Sequence, residues 1–202
     1  MRLYVLARHG ESELNVKRVV NGDPSVPGPL TERGRENAAL LGLQLRGQPI
    51  DTCVHTRFGR TLETGQIALE GRDLPFVEEP LLDDVKVGEL EGWTIDEYRD
   101  WKRGRTRSER FPGGESLDDA ARRYAEAYRG LVERPDEQVL VVCHEIPIRY
   151  ALNATGGSDD LDGPVHTIPN ATPFLFDEKT LANAAARIEQ LASPRSGTRS
   201  PG

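Results

Sequence analysis

Two histidines in this chain stand at the same place relative to an apolar run. His9 follows Arg8 at the end of the run over residues 2–7, and His144 follows the run over residues 138–143. A third run, residues 51–55, ends in His55, Thr56 and Arg57, with Arg60 opening the amphipathic stretch behind it. Imidazole serves as base, nucleophile or oxyanion partner near neutral pH. Arginine offers planar paired donors that match the oxygens of a phosphate. If the three runs are parallel strands of one sheet, their C-terminal ends share one edge, where open α/β sheets bind ligands. His9, His144, Arg8, Arg57 and Arg60 then converge with a helix start, and the turn after His9 and the first turn of the Arg60 helix add backbone N–H groups. Such a set suits a tetrahedral oxyanion. A lone histidine after a strand is usually structural and a lone arginine usually a solvated charge. The coincidence of two histidines in one topological position, one preceded by Arg, favours a site. His55 stays open between rim and bystander, and His166, in a loop bounded by Gly and Pro, is given no role. No H-x-x-x-H or C-x-x-C spacing occurs, and Arg8 would repel a divalent cation beside His9. The site is therefore expected to use no metal and no cofactor.

The elements that must position these residues alternate short apolar runs with longer amphipathic ones, the pattern of an α/β chain. The expected architecture has three layers, α/β/α, around a mostly parallel central sheet with an inserted cap segment. Strands are expected over residues 2–7, 51–55, 75–78 and 138–143, with an edge strand over 172–176. Helices are expected over 30–45 with Thr31 as N-cap, 59–69, from a Ser116 cap to 133, 147–154 and 180–192. Residues 80–116 form the expected cap. It starts acidic (Asp83, Asp84, Glu89, Glu91), holds both tryptophans and ends basic. Residues 1–192 read as a single domain, and 193–202 as a disordered tail without an apolar anchor.

The chain has 202 residues, enough to bury a core without covalent staples. A net charge of −7 argues against a nucleic-acid partner, so an anionic substrate would depend on a local arginine cluster. The basic run over residues 99–110 is interleaved with Asp100 and Glu109 and reads as a solvated cap helix. An alternative is that Arg103 and Arg105 meet a second anionic group of the substrate. Cys53 and Cys143 lie inside apolar runs and read as buried reduced thiols. No signal-peptide pattern and no run near the ~20 apolar residues of a membrane span is seen. The expected location is cytoplasmic, with no membrane partner.

Six short stretches, in order along residues 3–177, resemble the histidine phosphatase superfamily, the phosphoglycerate mutase-like proteins. They are Arg8-His9-Gly10-Glu11 with Asn15, Leu30-Thr31 with Gly34, Arg60 with Thr64, Gly88 with Glu91-Gly92, Gly113-Gly114-Glu115-Ser116, and Val141-Val142-Cys143-His144. The resemblance implies that His9 becomes phosphorylated, that Arg8, Arg60 and a protonated His144 hold the phosphoryl group, and that Asn15 supports them. It makes Asp84 the proton donor, where many members have Glu, with Asp83, Glu89 and Glu115 as fallbacks. A backbone carbonyl is expected to fix the His9 tautomer, and nearby arginines to keep its ring neutral.

The chain departs from the common pattern at Glu145, where many members have a small residue. That carboxylate could pair with Arg149 one turn on, or enter the site and repel phosphate. Gly65 replaces the usual Ala, and His55-Thr56-Arg57 stands where small hydroxyl residues are frequent. The function implied is a metal-independent phosphatase acting on a small phosphate monoester. A phosphoglycerate mutase-type phosphotransferase is the first alternative, although such members usually carry a longer insertion after the Arg60 helix. A non-catalytic phospho-ligand module is the second. The family's frequent dimers admit a homodimer, which no apolar stripe in the sequence compels.

Overall fold

A computed structural model describes residues 2–193 of the chain. The expected tail over 193–202 therefore falls, apart from Ser193, outside the described residues. Five strands, β1 (Leu3–Arg8), β2 (Thr52–His55), β3 (Phe76–Glu78), β4 (Gln138–Cys143) and β5 (Pro173–Asp177), form one sheet in the order β3-β2-β4-β1-β5. The first four are parallel, and β5 runs antiparallel along β1. In β1, β2 and β4 both faces are covered, so every interior residue is apolar and alternate residues enter different cores. Tyr4, Leu6, Val54, Val139, Val141 and Cys143 face one cluster; Val5, Ala7, Cys53, Leu140 and Val142 face the other.

Helices α2 (Glu32–Gln44) and α3 (Gly59–Ala68) pack on each other beside the smaller cluster. On the other face lie α5 (Leu117–Glu133), α6 (Glu145–Thr155) and α7 (Glu178–Ala192). Two further helices, α1 (Glu13–Lys17) and α4 (Ile95–Lys102), line the strand-end side. The two cysteines sit on opposite faces of the sheet, both buried and free. Burial pushes the Cys53 thiol up to about 12.

Several boundaries differ from the sequence expectation, for local reasons. Helix α6 starts at Glu145, because Pro147 in the first turn removes an N–H that has no intrahelical acceptor anyway. Helix α2 starts at Glu32 because Leu30 is held extended against Ser12, while Thr31 caps the Gly34 N–H as expected. Helix α1 went unforeseen: five residues show no periodicity, and a reciprocal Ser12–Asn15 capping box fixes it. The cap segment opens with two single-turn helices, Pro80–Leu82 and Gly88–Leu90, followed by α4. It joins the main core through Val85, Val87, Leu90 and Phe111, with Trp101 stacked on Phe111 at 5.0 Å between centroids. Arg123 of α5 ties it down, donating to the carbonyls of Leu81 (2.7 Å) and Asp83 (2.9 Å) and pairing with Glu115 at 2.6 Å.

The loop after β1 is held by close backbone contact. A Cβ at Gly10 would lie 2.3 Å from the Gly34 oxygen, and one at Gly34 would lie 2.0 Å from the Glu11 oxygen. Both positions therefore need glycine for space. Gly34→Ala is expected to cost roughly 1–3 kcal/mol of unfolding free energy through overpacking. Gly130→Ala, where a new Cβ meets nothing within 4 Å on α5, is expected to add about 0.5–1 kcal/mol. Urea unfolding of the two variants reads the opposite signs.

Candidate active site

A cavity of about 500 Å³ opens between the C-terminal strand ends and the cap, with Arg8, His9, Asn15, Arg60, Asp84 and Glu145 among its walls. His9 leaves β1 with its N–H bonded to the Cys143 oxygen of β4 (3.0 Å) and its own carbonyl bonded to the Asn170 side chain (2.8 Å). Gly10 N–H donates to Thr64 Oγ1 of α3 at 3.0 Å, which anchors the loop to the helix bearing Arg60. The His9 ring is fixed from both sides. Nδ1 donates to the Gly10 carbonyl at 2.7 Å, so Nε2 carries the lone pair, and Arg60 Nε donates to it at 3.0 Å. This is the carbonyl bond expected from sequence.

Arg60 is nearly buried, and its remaining nitrogens meet Asn21 Oδ1 at 2.6 Å and His144 Nδ1 at 3.5 Å, with the Phe58 ring 4.3 Å from its carbon. Desolvation lowers its pKa to about 10, opposed by Asp84, which leaves it cationic at neutral pH. Burial first, then Arg60 and Arg8, hold the His9 pKa well below the usual histidine value, so the ring is neutral. His144 is also driven well below that value, by burial and then Arg60. Without a bound phosphoryl group, a buried imidazole beside two guanidinium groups therefore favours the neutral form, whereas the sequence expectation of a protonated His144 concerns the ring with the phosphoryl group beside it. His144 also lies behind the cavity wall, fully buried, with Nε2 bonded to Thr56 Oγ1 at 3.0 Å and Nδ1 3.6 Å from Asp84 Oδ2.

Asp84 is the carboxylate that the structure brings to the cluster. Its side chain is 27 % accessible, and burial raises its pKa despite the lowering effect of Arg60. The fallback acids are committed or remote. Asp83 is buried against Arg57 at 2.6 Å, Glu115 against Arg123, and Glu89 is exposed outside the cavity walls. Arg57, expected among the converging arginines, is spent on Asp83 instead. His55 is a bystander: its Nδ1 bonds the Thr56 carbonyl at 2.8 Å and it does not line the cavity. His166, given no role from sequence, is a wall residue. Asn15 lies in the wall, its Oδ1 accepting the Ser12 N–H at 3.1 Å. Arg103 and Arg105 do not reach the cavity: Arg103 is 80 % exposed beside Asp100, and Arg105 stacks on Trp101. The cationic wall residues of the cap are Arg99 and Lys102.

Glu145 approaches Arg149 one turn on and also enters the cavity wall. Its Oε2 sits 2.6 Å from Arg8 Nη1, and its Oε1 3.9 Å from Arg149 Nη1. Arg8 Nη1 also donates to the Ile168 carbonyl at 2.8 Å, while its buried Nε has no partner among the described residues. A buried guanidinium N–H of this kind suits a ligand oxygen. Sequence reasoning missed Asn21 and Asn170, and placed Thr56 at a strand end without giving it a role. Only Thr64 and Glu91, which accepts from Asn21 at 2.7 Å, stood in stretches that the resemblance had marked.

The histidine phosphatase superfamily (branch 1) matches residues 4–176, and the chain belongs to that family. It is 32% identical over 205 residues to human 6-phosphofructo-2-kinase/fructose-2,6-bisphosphatase 4, covering 92% of this chain and 41% of that protein, so it spans about two fifths of that relative's length. A protein of Yersinia pestis named probable phosphoglycerate mutase GpmB is 31% identical over 160 residues, covering 75% of this chain and 74% of its own. The structure of Bacillus stearothermophilus YhfR superposes with a TM-score of 0.76 at 28% identity, covering 88% of this chain and 91% of that one. Among the described residues no helix is long and apolar enough to cross a membrane.

The two buried neutral histidines set a pH dependence. Their folded pKa values lie below the unfolded value of about 6.5, so below that pH the unfolded chain binds protons that the native chain does not. Stability is therefore expected to fall as pH drops from 7 to 5. In His144→Asn the slope should be shallower, by up to roughly 1.4 kcal/mol per pH unit. Urea unfolding across that range measures it.

Proposed function

We propose that this chain is a phosphatase that hydrolyses a small phosphate monoester through a phosphohistidine on His9. The observation that carries the reading is the His9 ring, locked with its Nε2 lone pair towards the cavity beside the Arg60 and Arg8 guanidinium groups. Nε2 attacks phosphorus, and the P–O ester bond breaks towards the alcohol oxygen. Asp84, whose pKa is raised by burial, supplies the proton to that oxygen. A water then attacks the phosphohistidine and gives its proton to Asp84. The N–P bond breaks, returning neutral His9 and releasing inorganic phosphate.

Arg60 and Arg8 stabilise the charge that spreads over the equatorial oxygens in flight. Arg60 Nε must leave His9 Nε2 for a phosphoryl oxygen as attack begins. Asp84 Oδ2 lies 3.6 Å from His144 Nδ1, and displacing that carboxylate would open the nitrogen to the phosphoryl group. Phosphoryl negative charge beside His144 then offsets the arginines and favours protonation of the ring. Relatives named for a fructose bisphosphatase and a phosphoglycerate mutase support a small, hydroxylated phosphate ester as substrate. The second of those names favours a phosphotransferase as the alternative reading.

Turnover of p-nitrophenyl phosphate in EDTA tests the proposal. His9→Ala is expected to lose at least about 10³-fold in kcat, and ³²P-labelled substrate should leave an acid-labile label on the unmodified chain only. No turnover by folded protein would sink the hydrolase reading, and isomerisation of 3-phosphoglycerate without phosphate release would favour the mutase. Asp84→Asn is expected to slow alkyl phosphates by roughly 10²–10⁴-fold. Its effect on p-nitrophenyl phosphate should be much smaller, since that leaving group needs little protonation.

A further inference from the structure

We propose that Glu145 selects the substrate alcohol, accepting a hydrogen bond from a hydroxyl beside the ester and repelling an alcohol with an anionic group there. The inference rests on the phosphatase reading and narrows its substrate class. Glu145 opens α6 directly after His144 and lies in the wall of the same cavity as His9, Arg8 and Asp84. It is pinned rather than free, held 2.6 Å from Arg8 Nη1 and 3.9 Å from Arg149 Nη1. Both arginines are themselves fixed, Arg8 by the Ile168 carbonyl at 2.8 Å and Arg149 by Asp162 at 2.7 Å. The side chain remains 28 % accessible, so oxygen lone pairs are left for a donor on a ligand.

The local charge count gives this position its effect. One nitrogen of Arg8 is spent on Glu145, which offsets one of the two arginines that face the phosphoryl group. An alcohol with a carboxylate or second phosphate next to the ester would place it among Glu145, Asp84 and the phosphoryl oxygens. Of the other cations in the wall, Arg18 and Arg99 share Asp96 at 3.2 and 3.6 Å, and Arg149 and Lys102 share Asp162 at 2.7 and 4.0 Å, so the repulsion is local to the end of the cavity that holds Glu145 and Asp84. A hydroxyl in the same place would find acceptors instead. Selection of this kind works through the group it repels as much as the one it binds.

Glycerol 2-phosphate and 2-phosphoglycerate test this, since they differ only by a hydroxymethyl group in place of a carboxylate on the carbon bearing the ester. The unmodified chain is expected to favour glycerol 2-phosphate in kcat/KM by about tenfold or more. Glu145→Gln should shrink that ratio by about tenfold through a gain on 2-phosphoglycerate, and Glu145→Asp should keep most of it. The ratio is the readout, because any general effect on Arg8 falls on both substrates alike. As a measurement free of any variant, 2-phosphoglycerate should inhibit p-nitrophenyl phosphate turnover at least about tenfold more weakly than glycerol 2-phosphate does. A ratio near one in the unmodified chain, or one unchanged in Glu145→Gln, overturns the proposal. Turnover of p-nitrophenyl phosphate with neither glycerol compound used or inhibiting overturns it while the phosphatase reading stands. Loss of all turnover removes that reading and this proposal together.

Discussion

The site depends on the burial of one guanidinium group. Arg60 sits 5 % exposed among His9, Asn21, His144 and Phe58, and a cation there is tolerated only where hydrogen-bond acceptors surround it. Each acceptor comes from a different part of the chain. His9 arrives on β1, Asn21 on the loop beyond α1, and His144 at the start of α6, while Arg60 itself stands in the first turn of α3. The parallel sheet brings these together because β1, β2 and β4 end on the same edge in register. Moving any of the three strands by one residue would turn its last side chain to the wrong face and leave the cation short of partners.

Burial at that edge acts on the ionisable groups in a consistent direction. It drives His9 and His144 towards neutrality and Asp84 towards protonation, the forms suited to a nucleophile and a proton donor. Arg60, lowered only to about 10, stays charged. The arrangement holds a cation next to two neutral bases without titrating either at physiological pH. It is costly for folding, since each of these groups would be better solvated in the unfolded chain, and the cost is carried by two apolar cores on either side of the sheet.

The cap contributes less charge to the site than its sequence suggests. Arg103, Arg105, Arg107 and Arg110 pair with Asp100, Glu109, Asp162, Asp118 and Asp119, within the cap or with the helix and loop beside it. What the cap does provide is a wall: Tyr98, Val85 and Val87 close the cavity over the strand ends, and Asp84 is carried in on the same segment. Its attachment to Arg123 of α5 fixes that carboxylate relative to the sheet.

Much of this was legible from residue order. Apolar runs ending in Arg8-His9, His55 and His144 announce parallel strands with polar residues at their C-terminal ends, because a strand covered on both faces must be apolar until it leaves the sheet. The amphipathic stretches between them announce the covering helices, and Thr31 and Ser116 mark two starts through their capping hydroxyls. The motif order around His9, Arg60 and His144 named the family. Side-chain pairing was a different matter. That Arg57 would be absorbed by Asp83, that Asn21 and Thr56 would hold Arg60 and His144, that His144 would sit neutral behind the wall, and that Glu145 would reach Arg8 as well as Arg149 follow from distances across the fold. Sequence order constrains neighbours a few residues apart on a helix or strand. Contacts between groups separated by 88 residues, as in Thr56 with His144, are set only when the packed cores fix how close their elements come.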